Sequence, residues 1–140
     1  MSFRKTIERW RIYAITDRTM AGGRTHAEIG ADLIHGGVRV IQVRDKITPY
    51  EELVEDTREL VSLARHHGVS IIANDNPYLA RDADADGVHI GQTDCPIWVA
   101  REVVGEDRIV GLSTHSREQA LKAQLLDVDY MGLGPIFATP

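Results

Sequence analysis

Residues 69–94, VSIIANDNPYLARDADADGVHIGQTD, contain the pattern that decides the fold. Two short, almost continuously apolar runs, Val69–Asp75 and Gly87–Gly91, flank Pro77–Arg81, which leaves room for a short helix. Strands that are apolar on both faces are typical of a parallel sheet covered by helices. The stretch therefore predicts two parallel strands joined by a helix, each followed by polar residues.

The same alternation of strand and helix extends through the rest of the chain. Further strands are predicted at Ile12–Thr16, Val38–Arg44, Arg108–Thr114 and Asp129–Phe137. Six strands with five intervening helices indicate β/α units, which form either an open doubly wound sheet or part of a (β/α)₈ barrel. Asp17-Arg18-Thr19 follows the first strand where a dinucleotide-binding fold has a glycine-rich turn, which weakens the open-sheet alternative.

Local signals mark where the helices begin and end. Three pairs fit a capping box, and Pro49 takes the first position of its helix: Thr25 with Glu28, Thr48 with Glu51, and Ser116 with Gln119. The predicted helix ends are Gly36-Gly37, Gly68 and Gly105. Two shorter helices are predicted at Pro77–Arg81 and Pro96–Val104.

Composition limits the classes of protein that the chain can belong to. It has 140 residues and a formal charge of −5, which argues against non-specific nucleic-acid binding. Cys95 is the single cysteine, so a disulfide framework and a paired-cysteine zinc site are excluded and a cytoplasmic location is expected. No apolar run approaches the roughly 20 residues that cross a bilayer, so no membrane partner is expected. The basic segment Met1–Arg11 is predicted to be a solvated lead-in to the first strand.

Polar residues gather at the carboxyl ends of the predicted strands, which form the active-site face of a β/α barrel. Gln42, Arg44 and Lys46 occupy alternate positions, so their side chains point the same way on an extended strand end. Arg and Lys aimed together form a clamp for phosphate oxygens. An equally weighted alternative pairs their charges with Asp45 or Glu51 at the surface.

Two carboxylates follow adjacent strands beside this clamp. Mg²⁺ is usually held by one or two carboxylates together with substrate phosphates, so Asp75 and Asp94 are candidate metal ligands. The alternatives are an Asx turn for Asp75 and capping of the helix near Pro96 for Asp94.

Several other residues are assigned structural roles. His89 lies inside a buried strand and is interpreted as a satisfied core residue, whereas His115 faces the rim and is the one histidine kept as a candidate acid or base. The run Asp82–Asp86 is interpreted as a solvated connection, and Trp98 as packing between helix and barrel.

Six motifs in order resemble the thiamine-phosphate synthase family. They are Tyr13–Asp17 (YAITD), Gln42–Lys46 (QVRDK), Ile72–Asp75 (IAND), Asp86–Asp94 (DGVHIGQTD), Gly111–His115 (GLSTH) and Gly132–Thr139 (GLGPIFAT). The resemblance covers roughly Arg11 to Pro140 and implies a (β/α)₈ TIM barrel, of which six strands and five helices are present. We expect residues 1–140 to be a single incomplete barrel domain.

The resemblance also implies an activity and a set of site residues. The family joins hydroxymethylpyrimidine diphosphate to thiazole phosphate, assisted by Mg²⁺, and releases pyrophosphate. The implied pyrimidine diphosphate ligands are Gln42, Val43, Arg44, Asp45, Lys46 and Asn74. Ser113 matches a residue that contacts the pyrimidine, Thr139 matches one that binds the thiazole phosphate, and Asp75 and Asp94 match the Mg²⁺ ligands. Arg44, Lys46 and Ser113 are the expected catalytic residues.

Two alternatives remain beside this prediction. One is a thiazole tautomerase of the same fold, which would keep His115 but lack the acidic residue that stands here as Asp94. The other is a non-catalytic truncated barrel, because family members continue past Pro140 with two further strands. In that case the first and last strands would be open edges prone to self-association.

Overall fold

Six parallel strands follow one another in chain order, so that each pairs with the strand before it. The structure, a computed structural model, describes residues 3–138. The strands are β1 Tyr13–Thr16, β2 Val40–Val43, β3 Ser70–Asn74, β4 Gly87–Ile90, β5 Ile109–Thr114 and β6 Tyr130–Leu133. The helices are α1 His26–His35, α2 Tyr50–His67, α3 Pro77–Asp82, α4 Ile97–Val104 and α5 Arg117–Ala123, preceded by a 3₁₀ helix at Phe3–Arg9. The predicted β/α half-barrel is confirmed, although β6 ends four residues before Phe137.

The helix-start signals are confirmed at two of three positions. Thr25 and Glu28 form a complete capping box on α1, and the Ser116 hydroxyl accepts from the backbone N–H of Gln119 on α5. The prediction for Thr48 is wrong, because Pro49 is the N-cap of α2 and provides no side-chain bond. The Thr48 hydroxyl instead donates to the Asp45 carboxylate over 2.7 Å, and an ionised acceptor makes the stronger bond.

The alternation of side chains along each strand divides the core into two layers. Residues such as Ile41 and Val43 face the helices and join the larger cluster, which α1 to α5 cover. Val40, Ile72 and Ile109 face the barrel interior and form a second cluster near the amino ends of the strands. The continuous apolar runs of the sequence thus reflect burial on both faces.

The basic N-terminal segment closes the amino end of the barrel. Phe3, Ile7 and Trp10, here called the amino-end plug, pack against the interior cluster. The backbone N–H of Phe3 donates to the Asp107 carbonyl over 3.2 Å, and Arg4 forms an ion pair with Asp129. The prediction of a solvated lead-in is therefore wrong, because every third or fourth residue of this segment supplies an apolar contact.

Two further structural predictions are also corrected. Asp86 is 6% exposed and accepts from the backbone N–H of Ile71 over 2.6 Å, so the connection Asp82–Asp86 is solvated only in part. Burial raises the pKa of Asp86 to about 6. Trp98 is 68% exposed, whereas its neighbour Ile97 makes the packing contact with the barrel. Among residues 3–138, none of the helices is both long and apolar enough to cross a membrane.

Candidate active site

The carboxyl ends of β1, β2 and β3 bring the predicted phosphate clamp beside two carboxylates. A guanidinium nitrogen of Arg44 lies 3.0 Å from Asp17 Oδ2, at the end of β1. Lys46 forms an ion pair with Asp75, directly after β3. Neither cation pairs with Asp45 or Glu51, which was the alternative prediction. Arg44 and Lys46 are therefore held at the rim by partners on the neighbouring strands.

Within the motif 42–46, only alternate side chains face the rim or the interior. Gln42 is buried and its Nε2 donates to the Tyr13 hydroxyl over 2.9 Å. Val43 is 1% exposed and belongs to the helix-side core. The Asp45 side chain is 2% exposed and pairs with His26 on α1. The expectation that all five residues line the site thus applies to the side chains of Gln42, Arg44 and Lys46.

The Asp45 carboxylate organises the loop that carries the clamp. It accepts from the backbone N–H groups of Ile47 and Thr48 over 2.9 and 2.8 Å, and it lies 3.1 Å from His26 Nε2. Burial alone would raise the pKa of Asp45, but these hydrogen bonds outweigh burial and hold it well below its usual range. His26 is fully buried, and its Nδ1 lies 2.7 Å from the hydroxyl of Thr16 on β1. The loop is thereby tied to α1 and to β1.

The two predicted metal ligands lie after adjacent strands. Asp75 has a positive φ of 63°, and its backbone N–H donates to the His89 carbonyl over 2.8 Å. Asp94 accepts from the backbone N–H of Gly91 over 2.6 Å, which closes the turn after β4. Neither alternative is seen, because the Asp75 carboxylate pairs with Lys46 instead of a backbone N–H and the N-cap of α4, Pro96, has no side-chain bond.

Asp75 and Asp94 are the residues that could hold a magnesium ion together with ligands from a substrate. Asp75 directly follows β3 and bonds through its backbone N–H to His89 on β4, and Asp94 lies in the turn after β4, so both follow the carboxyl ends of adjacent strands. No cluster of three or more His, Cys, Asp or Glu side chains suited to a metal occurs in the described part of the chain. A site with two carboxylates and no protein cage is the arrangement in which phosphate oxygens and water complete the Mg²⁺ shell.

The interior above the amino-end plug holds a connected polar group. His89 Nε2 lies 2.7 Å from Ser113 Oγ, and His89 Nδ1 lies 2.8 Å from the Tyr130 hydroxyl. That hydroxyl lies 2.7 Å from the hydroxyl of Tyr13. Burial lowers the pKa of His89, and the charges of Asp75 and Asp94 oppose that shift only in part. Ser113 is therefore bonded to an imidazole that favours its neutral form.

The remaining predicted residues are placed as follows. Asn74 is the last residue of β3 and shares the interior-facing parity of Ile72. His115 is exposed, and its Nδ1 lies 2.7 Å from the Gly134 carbonyl, so this nitrogen is already bonded. Thr139 lies outside the described residues.

Comparison with known proteins shows which family the chain belongs to. A family model described as thiamine monophosphate synthase matches residues 12–140. The chain belongs to this family. It is 46% identical over 128 residues to a thiamine-phosphate synthase of Pelotomaculum thermopropionicum, which covers 91% of this chain and 59% of that protein. It is also 43% identical over 130 residues to the thiamine-phosphate synthase of Shouchella clausii, which covers 93% of this chain and 62% of the relative.

A solved structure has the same fold as this member of the thiamine monophosphate synthase family. The thiamine phosphate pyrophosphorylase of Pyrococcus furiosus matches with a TM-score of 0.85 and 34% identity, covering 97% of this chain and 64% of the other. The chain therefore spans about three fifths of the length of these curated relatives. The match confirms the barrel class.

Two residues of this family member have larger roles than the sequence predicted. His89 is satisfied at both ring nitrogens, as expected for a core histidine, but one of its partners is the predicted site residue Ser113. His26 carried no prediction at all. The available signal for His89 was its parity with Gly87, which places both on the interior side of β4, where Ile109 packs against Gly87.

Proposed function

We propose that this protein is a thiamine-phosphate synthase that joins hydroxymethylpyrimidine diphosphate to thiazole phosphate and releases pyrophosphate. The observation that carries the proposal is the ion pair between Lys46 and Asp75 at the carboxyl ends of β2 and β3, with Arg44 on the same strand end as Lys46. Asp94 follows the next strand, β4. Two cations and two carboxylates suit a diphosphate together with a divalent ion. The relatives named above are thiamine-phosphate synthases.

The proposed reaction breaks the bond between the pyrimidine methylene carbon and the diphosphate oxygen. The electron pair leaves with pyrophosphate, and the thiazole nitrogen then forms the new bond to that carbon. A carbocation-like methylene on an electron-rich ring requires charge neutralisation of the leaving group and alignment of the nucleophile more than proton transfer. Asp75 and Asp94 would hold Mg²⁺, which supplies part of that neutralisation when it is bound.

The chain's own side chains divide the remaining work. Arg44 and Lys46 bind the departing phosphates, and their pairs with Asp17 and Asp75 hold both cations at the rim before the substrate arrives. Gln42, Asn74 and Ser113 contact the pyrimidine from the barrel interior. We assign Asp45 and the backbone of Val43 to supporting the loop after β2, which carries Arg44 and Lys46. Thr139 remains the proposed contact of the thiazole phosphate.

The first test compares two aspartate-to-asparagine variants. Asp94→Asn removes a proposed Mg²⁺ ligand, whereas Asp107→Asn changes an exposed residue in the loop before β5, at the other end of the strands. We expect Mg²⁺-dependent pyrophosphate release that requires both substrates, lost in Asp94→Asn and retained in Asp107→Asn. Equal activity of the two variants would refute the metal assignment. Isomerisation of a thiazole without any diphosphate would instead establish a tautomerase.

Calorimetric binding of the pyrimidine diphosphate tests the site separately from turnover. The proposed ligands on β2 to β5 are all within the described residues, so the chain should bind this substrate in the presence of Mg²⁺. Absence of binding would overturn the proposal. Binding without turnover would support a binding protein instead.

The proposed setting is the cytoplasm, with small molecules as partners. Cys95 is the single cysteine, which agrees with a reducing compartment. Among the strands described, β1 pairs only with β2 and β6 only with β5, so each presents an unpaired edge. Such edges favour self-association, and we expect sedimentation of the chain to depend on its concentration. A concentration-independent monomer would refute this part.

A further inference from the structure

Four hydrogen bonds connect Gln42 on β2 to Ser113 on β5 through the barrel interior. They join Gln42 Nε2 to the Tyr13 hydroxyl over 2.9 Å, and the Tyr13 and Tyr130 hydroxyls over 2.7 Å. Tyr130 is then 2.8 Å from His89 Nδ1, and His89 Nε2 is 2.7 Å from Ser113 Oγ. We call these five side chains the interior network. Its two ends are residues that the proposed function places against the pyrimidine.

The packing of the interior network fixes the positions of its rings. The Tyr130 ring occupies the space beside Gly111, where a Cβ atom would overlap it. Trp10 of the amino-end plug contacts Tyr13 and Tyr130 edge-on, with ring centroids 5.8 and 5.3 Å away. The His89 ring lies 5.4 Å from the Tyr130 ring. Trp10 therefore supports the Tyr13 and Tyr130 rings from the amino end of the barrel, while Ser113 lies nearer the carboxyl-end rim.

The direction of the hydrogen bonds follows from the orientation of the Gln42 amide. With Gln42 Nε2 facing Tyr13, the Tyr13 oxygen accepts from Gln42 and its own hydrogen goes to Tyr130, the other partner that the described residues offer. Tyr130 then donates to His89 Nδ1, and the ring hydrogen lies on Nε2 and goes to Ser113. The opposite direction would leave the Tyr13 hydrogen without a partner inside the barrel, which is costly. The Ser113 hydrogen is thus directed away from His89.

We infer that His89 is a positioning residue that fixes the Ser113 hydroxyl as a hydrogen-bond donor, so that the site selects a substrate with a ring-nitrogen acceptor. The inference rests on the proposed function and extends it to the choice of substrate. A pyrimidine ring nitrogen is such an acceptor. A ring with C–H at the same position has no lone pair and cannot receive the bond.

The test measures the affinity of three ligands by calorimetry in the presence of Mg²⁺. They are the pyrimidine diphosphate and the two pyridine analogues in which one or the other ring nitrogen is replaced by C–H. We expect one analogue to bind the wild-type chain about fivefold to tenfold more weakly, the size of one net hydrogen bond. Failure of the wild type to bind the pyrimidine itself would refute the proposed function, before any variant is made.

Variants at His89 and Ser113 then separate positioning from simple packing. His89→Leu should weaken binding of the pyrimidine by the same factor but leave the discriminated analogue unaffected. His89→Gln, whose Nε2 can donate to Ser113, should restore most of the loss. In Ser113→Ala the discrimination should disappear, and adding His89→Leu should cause no further loss.

Two results would overturn the inference while the proposed function stands. One is an equal loss for all three ligands in His89→Leu, which indicates a structural role alone. The other is a wild-type chain that binds both pyridine analogues as tightly as the pyrimidine, which means that Ser113 does not donate to the ring. Ser113→Ala decides the matter if His89→Leu fails to fold.

Discussion

The two ends of the half-barrel carry opposite kinds of side chain. At the carboxyl end, charged groups such as Arg44 and Lys46 stand in partly exposed ion pairs. At the amino end, the plug formed by Phe3, Ile7 and Trp10 covers apolar interior residues. The difference agrees with our proposal that the carboxyl end binds the ligand while the amino end stabilises the fold, as is common in β/α barrels.

Two buried aspartates show the same contrast in their ionisation. Asp45, beside the carboxyl-end clamp, accepts several hydrogen bonds, which keep its pKa below the usual range despite burial. Asp86, at the amino end of β4, accepts one backbone N–H from Ile71, and burial raises its pKa to about 6. The number of donors thus decides whether burial favours or opposes the charge.

The largest expected effect on stability comes from the amino-end plug. Trp10→Ala should lower the free energy of unfolding by about 3 kcal/mol, because it removes a large side chain packed against Tyr13 and Tyr130. Trp98→Ala is the matched control and should cost less than about 0.5 kcal/mol, since Trp98 is mostly exposed. Urea denaturation measures both. Equal losses would contradict the assignment of the plug as the stabilising end.

The next effect should change binding and leave stability almost unaltered. Lys46→Met should weaken pyrimidine diphosphate binding roughly 50-fold, about 2.3 kcal/mol, because a charge-assisted contact is lost. Lys122→Met, in an exposed pair with Glu118 on α5, should leave affinity unchanged. Calorimetry gives the affinities, and urea denaturation should show less than about 0.5 kcal/mol of change for either variant. A large loss of stability in Lys46→Met would contradict the view that the carboxyl end serves binding and the amino end serves stability.

The two aspartates allow a test by pH. Because the folded pKa of Asp86 is about 6, above the ordinary value of about 3.9, its stabilising contribution is full below about pH 4 and is lost as pH rises through 6. Relative to the wild type, Asp86→Asn should therefore gain on the order of 2 kcal/mol between pH 4 and pH 7.5.

Asp45→Asn is the matched comparison and should show the opposite sign. The lowered pKa of Asp45 gives stability that is present above about pH 4 and disappears as pH falls. This variant should be less stable than the wild type at pH 7.5, with the gap closing in acid. Denaturation curves at several pH values measure both, and a trend shared by the two variants would refute at least one of the assignments.

The smallest effect should come from the ion pair that anchors the plug. Arg4→Met should cost less than about 1 kcal/mol, because Arg4 is partly exposed and Asp129 keeps its second partner, Arg101. The loss should shrink further in high salt, which screens the pair. A loss as large as that of Trp10→Ala would show that charge, and not apolar contact, holds the plug.

Local patterns were enough to predict the succession of strands and helices. The apolar runs, the capping box of Thr25 with Glu28, and Gly68 in its left-handed conformation all act within a few residues. The plug was not predictable in this way, since Phe3 and Trp10 acquire their meaning from Val40, Ile72 and Ile109. Trp98 shows the reverse case, an apolar residue for which helical spacing did not decide exposure.

The candidate site was predictable to the extent that it follows strand parity. Alternation placed Gln42, Arg44 and Lys46 on one side, and the structure shows the corresponding contacts. The partners of His89 could not be read in the same way. Tyr130 is 41 residues away in sequence, and nothing near His89 indicates that two hydroxyl groups meet its ring.

The position of the N-terminal helix also bears on the order of folding. Consecutive strands pair with each other, so each β/α unit can dock soon after it is made, with a short loop to close. Arg4, by contrast, meets Asp129 across 125 residues of sequence, and this contact must wait for β6. Among the described residues, the segment synthesised first is therefore one of the last to dock. Until the amino-end plug docks, the apolar interior cluster that it covers stays open to water and to other nascent chains.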